Sequence, residues 1–105
     1  MTKNTYYIII RGPLGCGKST IAKKLSELLN AEYVPIDRIL DKYKLTKDKE
    51  GGYISQKSFI KANEIITPKV KEKLNSETRV VFDGNFYWKS HIENLIKRLQ
   101  FPHYV

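Results

Sequence analysis

The sequence predicts an α/β domain: a parallel sheet flanked by helices. Three observations predict it. Short β-branched or aromatic runs alternate with segments of helical spacing, in the order β-α-β-α-β-α-β, which calls for parallel strands joined by helical crossovers. The runs Tyr6–Ile10 and Val80–Phe82 are apolar throughout rather than alternating, as in strands covered on both faces. Polar, chemistry-bearing residues follow Ile10, Ile36 and Phe82, the strand ends where open α/β sheets bind ligands.

Tyr6–Arg11 reads as the first strand and stops at Gly12-Pro13. Lys18–Asn30 carries Ile21, Ala22, Leu25, Leu28 and Leu29 at helical spacing, with Asn30 as a stop. Glu32–Ile36 reads as a second strand, weakened at its end by Pro35. Leu40–Tyr53 is rich in Asp, Glu and Lys and contains Gly51-Gly52. It is expected to be an exposed, mobile segment with at most a short helix. Ser55–Leu74 returns to helical spacing through Phe59, Asn63, Ile66, Val70 and Leu74, and Pro68 is expected to kink or split it. Val80–Phe82 is a buried strand ending in Asp83-Gly84. Ser90-His91-Ile92-Glu93 has the form of a capping box. Ile92, Leu95, Ile96 and Leu99 supply the stripe of that helix, Pro102 stops it, and His103-Tyr104-Val105 begins a fourth strand.

Composition sets the frame for function. The chain has 105 residues with 19 Lys plus Arg against 11 Asp plus Glu, a net charge of +8. At 41% hydrophobic and 29% charged it has the balance of one folded domain. No apolar stretch approaches a membrane span or the core of a signal peptide. The single cysteine, Cys16, excludes an internal disulfide framework and a multi-cysteine zinc site, and a reducing, cytoplasmic setting is expected. The basic surplus is spread along the chain. It suits a polyanionic partner as well as an ordinary basic surface.

Gly12-Pro13-Leu14-Gly15-Cys16-Gly17-Lys18-Ser19 is a complete G-x-x-x-x-G-K-[ST] phosphate loop, with Thr20 behind it. Glycines let the backbone wrap so that its N–H groups converge on phosphate oxygens. The following helix points its positive end at the same place. Lys18 can reach the β- and γ-phosphates, and Ser19 can offer a hydroxyl to Mg²⁺. The dinucleotide pattern G-x-G-x-x-G fits less well, because Thr20 stands where it needs Gly or Ala. Cys16, at a helix N-terminus, is expected to be more acidic than a free thiol.

Two roles fit Asp37: capping the helix that starts near Arg38, or accepting a proton from an attacking hydroxyl. Asp83 closes an apolar strand, where a rigid backbone can hold a hard oxygen towards Mg²⁺. Asn85 can bind substrate or form the turn. Phe86-Tyr87-Trp88 reads as a satellite core under the last helix, with a stacking platform for a base as the other reading. His91 and His103 read as partly exposed residues without ligand partners.

Taken together, the loop Gly12–Ser19, Asp37-Arg38 after the second strand and the "VVFDGN" run Val80–Asn85 resemble the small P-loop kinases. That group includes the kinase domain of polynucleotide kinase, chloramphenicol phosphotransferase, and gluconate, shikimate and adenylate kinases. The resemblance implies a P-loop NTPase fold with strand order 2-3-1-4. It implies ATP as donor, Mg²⁺ held by Ser19 and Asp83, nucleotide contacts along Gly12–Thr20, and Lys18 and Asp37 as catalytic groups. Arg38 and Asn85 would contact the acceptor. These kinases continue into an arginine-bearing lid and a fifth strand, so the chain is expected to be the N-terminal portion of a longer enzyme. The expected reaction moves the γ-phosphoryl group of Mg-ATP to a hydroxyl of a small molecule or of an RNA or DNA 5′ end. An NTP-hydrolysing switch and a nucleic-acid-binding module remain as alternatives. The first would need a guanine-reading N-K-x-D to be a GTPase, and this chain has none.

Overall fold

A computed structural model describes residues 5–12, 17–86 and 88–105. The central residues of the phosphate loop, Pro13, Leu14, Gly15 and Cys16, and Tyr87 of the aromatic cluster lie outside the described residues.

Strand β1 (Tyr7–Arg11) leads through the loop to helix α1 (Lys18–Leu29). Strand β2 (Glu32–Pro35), helix α2 (Ile36–Lys42), a hairpin of β3 (Lys49–Glu50) and β4 (Tyr53–Ile54), and helix α3 (Gln56–Asn75) follow. The chain then forms β5 (Val80–Gly84), α4 (Lys89–Leu99) and β6 (His103–Tyr104). The main sheet has the order β2-β5-β1-β6, all parallel. Counting only its own strands, that is the expected order 2-3-1-4.

The register sorts the side chains between two faces. Tyr7, Ile9, Val34, Val80 and Phe82 lie on one face through the pairs Tyr7↔Val80, Ile9↔Phe82 and Val34↔Phe82. They join Phe59, Ile66, Val70 and Leu74 of α3 and Leu95 and Leu99 of α4 in the main core. Tyr33, Pro35, Val81 and Asp83 share the opposite face, where α1 supplies Lys18 to Asp83.

Three local expectations change. The apolar residues of α1 are only in part its buried stripe: Lys18, Ala22 and Ser26 face inward and Leu25 and Leu29 are half-buried, while Ile21 and Leu28 are exposed. Small side chains bring this helix close to the sheet, and the Ser26 hydroxyl is satisfied by donating to the Ala22 carbonyl at 2.8 Å. Pro68 does not split α3, which runs unbroken for 20 residues. Its buried residues lie on both sides of the proline, and the carbonyl that loses its donor belongs to solvent-exposed Glu64. Ser90 does not cap α4. Trp88 takes the cap position, anchored by its indole N–H donating to the Ile54 carbonyl at 2.7 Å, and the Ser90 hydroxyl instead donates to Gln56 Oε1. The polar stretch after Leu40 is exposed, as expected, and forms the end of the short helix α2 and a hairpin whose Gly51 and Gly52 both take positive φ. That is what a tight two-residue hairpin turn demands.

The helix ends follow local chemistry. Asn30 adopts a left-handed conformation, φ 53°, and terminates α1. Ser55 caps α3, its hydroxyl oxygen accepting from the Ser58 N–H at 3.1 Å.

Candidate functional site

Asp83 is the last but one residue of β5, flanked in the sheet by Ile10 on one side and Pro35 on the other. The pleat turns its carboxylate towards the N-terminus of α1. There Lys18 Nζ donates to Asp83 Oδ1 at 2.7 Å, with both side chains at most 5% exposed. The second oxygen, Oδ2, accepts from the Tyr33 hydroxyl at 2.5 Å. The Ser19 hydroxyl lies near enough to this carboxylate to lower its pKa. Burial alone would raise the Asp83 pKa. The hydrogen bonds from Lys18 and Tyr33, the nearby Ser19 hydroxyl and the charge of Lys18 reverse that and hold it below the usual carboxylate range.

Tyr33 shifts the other way. Burial, and then the neighbouring Asp83 carboxylate, push its phenol up to about 12. It is therefore a fixed donor at physiological pH.

Asp37 is half-buried in the first turn of α2, not at its cap, which is Pro35. Its pKa is raised by burial, and the field of Lys18 pulls it down less than burial and the nearby Asp83 and Asp41 push it up. Asp37, Lys18 and Asp83 thus share one electrostatic neighbourhood at the carboxyl ends of β2 and β5. Arg38 is exposed beside them and acts electrostatically on Tyr33.

The turn after β5 is tightly held. Phe86 is fully buried with a left-handed backbone, φ 49°. Arg11, at the end of β1, donates to its carbonyl at 2.9 Å. The Asn85 side-chain oxygen is buried and has no hydrogen-bond partner among the described residues. Gly12 and Gly17, which bracket the phosphate loop, have φ 152° and 78°, and Gly17 directly precedes α1. Lys18, Ser19, Asp37, Arg38, Asp83 and Asn85 therefore lie at one end of the sheet. Thr20 is exposed on the first turn of α1.

Sequence reasoning missed one member of this arrangement and misread one buried group in the core. Tyr33 was recoverable from register: two residues before Pro35, it shares Asp83's face. His91 is fully buried between Phe59 and Phe86, with ring centroids 4.5 and 4.3 Å away. This corrects its expected partial exposure. Its Nε2 faces Asn63 Oδ1 at 3.1 Å, and burial lowers its pKa to about 3. Phe86 and Trp88 pack against the main core, in agreement with the core reading of that cluster.

The family model described as chromatin associated protein KTI12 matches residues 7–98. The chain belongs to the KTI12 family. This KTI12-family chain is also 37% identical over 92 residues to a cytidylate kinase of Mycoplasmopsis pulmonis, strain UAB CTIP; the match covers 73% of this chain and 41% of that protein. It thus spans well under half the length of that curated relative.

Among solved structures it is similar to the crystal structure of APE1195, with a TM-score of 0.72 at 17% identity, covering 99% of this chain and 63% of that one. It is similar to the hexameric APS kinase from Thiobacillus denitrificans, with a TM-score of 0.65 at 14% identity, covering 98% and 21%. A shikimate kinase from Acinetobacter baumannii, in complex with shikimate, gives a TM-score of 0.52 at 23% identity, covering 92% and 53%. These likenesses establish the small P-loop kinase fold. Together with the family match and the cytidylate kinase relative, they support a nucleotide-binding, kinase-type function. Among the described residues no helix is long and apolar enough to cross a membrane.

Proposed function

We propose that this chain carries the nucleotide half of a phosphotransferase that moves the γ-phosphoryl group of Mg-ATP to a hydroxyl acceptor. The observation that supports it best is the buried contact of Lys18 with Asp83, with Ser19 near the same carboxylate, at the mouth of a phosphate-loop sequence.

Phosphoryl transfer asks a protein mainly for positioning and charge neutralisation. Backbone N–H groups of Gly12–Thr20 would hold the triphosphate. Lys18 would exchange Asp83 for the β- and γ-phosphates, a swap of one anionic oxygen for another. Asp83 and Ser19 offer hard oxygens suited to Mg²⁺, an ion commonly bound through one or two carboxylates plus the substrate's own phosphates. When bound, the ion supplies charge neutralisation across the phosphates.

Asp37 would take the acceptor's proton. Burial raises its pKa and so makes it a stronger base than a free aspartate. Arg38 and the unpartnered Asn85 oxygen are the groups assigned to the acceptor. The acceptor class is a small-molecule alcohol or a nucleic-acid 5′ hydroxyl.

The decisive experiment incubates the protein with labelled ATP, Mg²⁺ and panels of alcohols, nucleosides and 5′-hydroxyl oligonucleotides. Label should move to one class of acceptor and fail to do so in Lys18→Ala. Transfer that survives Lys18→Ala would overturn the mechanism.

A further inference from the structure

We infer that Tyr33 is a positioning residue for the metal-facing carboxylate: its phenol holds Asp83 Oδ2, so that Oδ1, the oxygen released by Lys18, keeps its orientation towards the N-terminus of α1. The inference rests on the Mg-nucleotide reading above.

The geometry begins with strand register. Tyr33 lies opposite Val81 and Pro35 lies opposite Asp83. Side chains two residues apart leave the same face of a strand, so Tyr33 projects beside Asp83 one pleat behind it. Its hydroxyl reaches Oδ2 at 2.5 Å while Lys18 holds Oδ1 at 2.7 Å. The carboxylate is thus held at both oxygens, by donors from different elements.

The two donors have different fates. Lys18 is the group that must leave for the triphosphate, whereas Tyr33 stands on a sheet strand and has no such task. A carboxylate's terminal torsion is broad and roughly two-fold. Once Lys18 departs, the Tyr33 hydrogen bond to Oδ2 remains to hold Asp83 against rotation. An outer partner that orients a ligating carboxylate in this way typically accounts for roughly ten- to hundredfold in metal affinity.

A purely structural role, satisfying a buried acceptor, predicts something else: a stability loss with no selective effect on the metal. Tyr33→Phe separates the two, because it keeps the ring and removes only the O–H. Calorimetric titration of the full chain with ATP, in EDTA and at graded Mg²⁺, reads both quantities. Positioning predicts ATP affinity in EDTA within about twofold of the parent, with the Mg²⁺ needed for half-maximal enhancement raised roughly tenfold. Unchanged Mg²⁺ dependence in Tyr33→Phe, or equal losses with and without Mg²⁺, overturns the inference while leaving the nucleotide reading intact. A parent protein that binds no nucleotide overturns both.

Should Tyr33→Phe fold poorly, Tyr33→His supplies a donor of different reach in the same measurement. A further arm places Tyr33→Phe in an Asp83→Asn background. If Tyr33 acts through Asp83, it has no additional effect on Mg²⁺ dependence there. A full additional effect sinks the proposal.

Discussion

The imidazole of His91 lies nearly parallel to the ring of Phe86, 4.3 Å from it and tilted by 13°. Phe59 covers the other side, so a charge on His91 would have only Asn63 Oδ1 for company. Its folded pKa of about 3 lies well below the usual value of 6.5. The unfolded chain therefore binds the proton first, and stability falls as pH drops from about 6.5 towards 3. This residue alone should make the fold about 2 kcal/mol weaker at pH 5 than at pH 7. Urea denaturation at both pH values checks this. His91→Gln, which cannot titrate, should lose that part of the pH slope whatever its absolute stability.

Gly84 ends β5 with ordinary backbone angles, so space decides its identity. A Cβ there would sit 3.0 Å from Phe86 Cε2 and 3.1 Å from Ile36 Cβ. Both neighbours are fully buried. Gly84→Ala should cost about 1–3 kcal/mol as overpacking, and it should also disturb the Asp83–Phe86 turn. A denaturant melt gives the first effect and nucleotide titration the second.

Lys18 and Asp83 should be strongly non-additive in stability. Lys18→Met leaves a buried carboxylate without its cation, at a cost of about 3 kcal/mol. Asp83→Asn in the same chain removes the stranded charge. The double variant should therefore be more stable than Lys18→Met alone, by chemical denaturation without nucleotide. Neither should bind ATP with parental affinity.

Asp37 should oppose stability while serving the reaction. Its folded pKa lies above its unfolded one, chiefly through burial, so ionisation at neutral pH disfavours the native state. Asp37→Asn should raise the melting temperature at pH 7 by a few degrees, under about 1 kcal/mol given its solvent screening. The gain should fade as pH falls through the carboxylate range, where the parent's Asp37 is protonated in both states. Phosphoryl transfer should be lost in the same variant.

Much of the architecture was legible because local and long-range cues agreed. Tyr7–Arg11 and Val80–Gly84 are apolar enough to be interior strands, and Asn30 stops α1 where its chemistry says it should. Lys18, Asp37 and Asp83 were legible through the rule that ligands sit beyond strand carboxyl ends. The misreadings share one cause, tertiary packing overriding a local signal. Pro68 is tolerated because α3 buries side chains on both sides of it. Ser90 looks like a cap until Trp88, tied to Ile54, takes the position first. Tyr33 and His91 carry no motif. Their settings come from strand register and from rings contributed by distant segments.

The Lys18–Asp83 contact joins residues 65 positions apart. Lys18 comes from the helix after β1, Asp83 from a strand that must first insert between β1 and β2. No fluctuating stretch of the unfolded polypeptide can present both groups together, so the triphosphate recognition proposed above would be a late event that reports completed assembly. A ligand that prefers the finished sheet must in turn shift the folding equilibrium towards it, by an amount that grows with the logarithm of its concentration. Cellular nucleotide supply would then act on how much of this chain is folded, as well as on what it does.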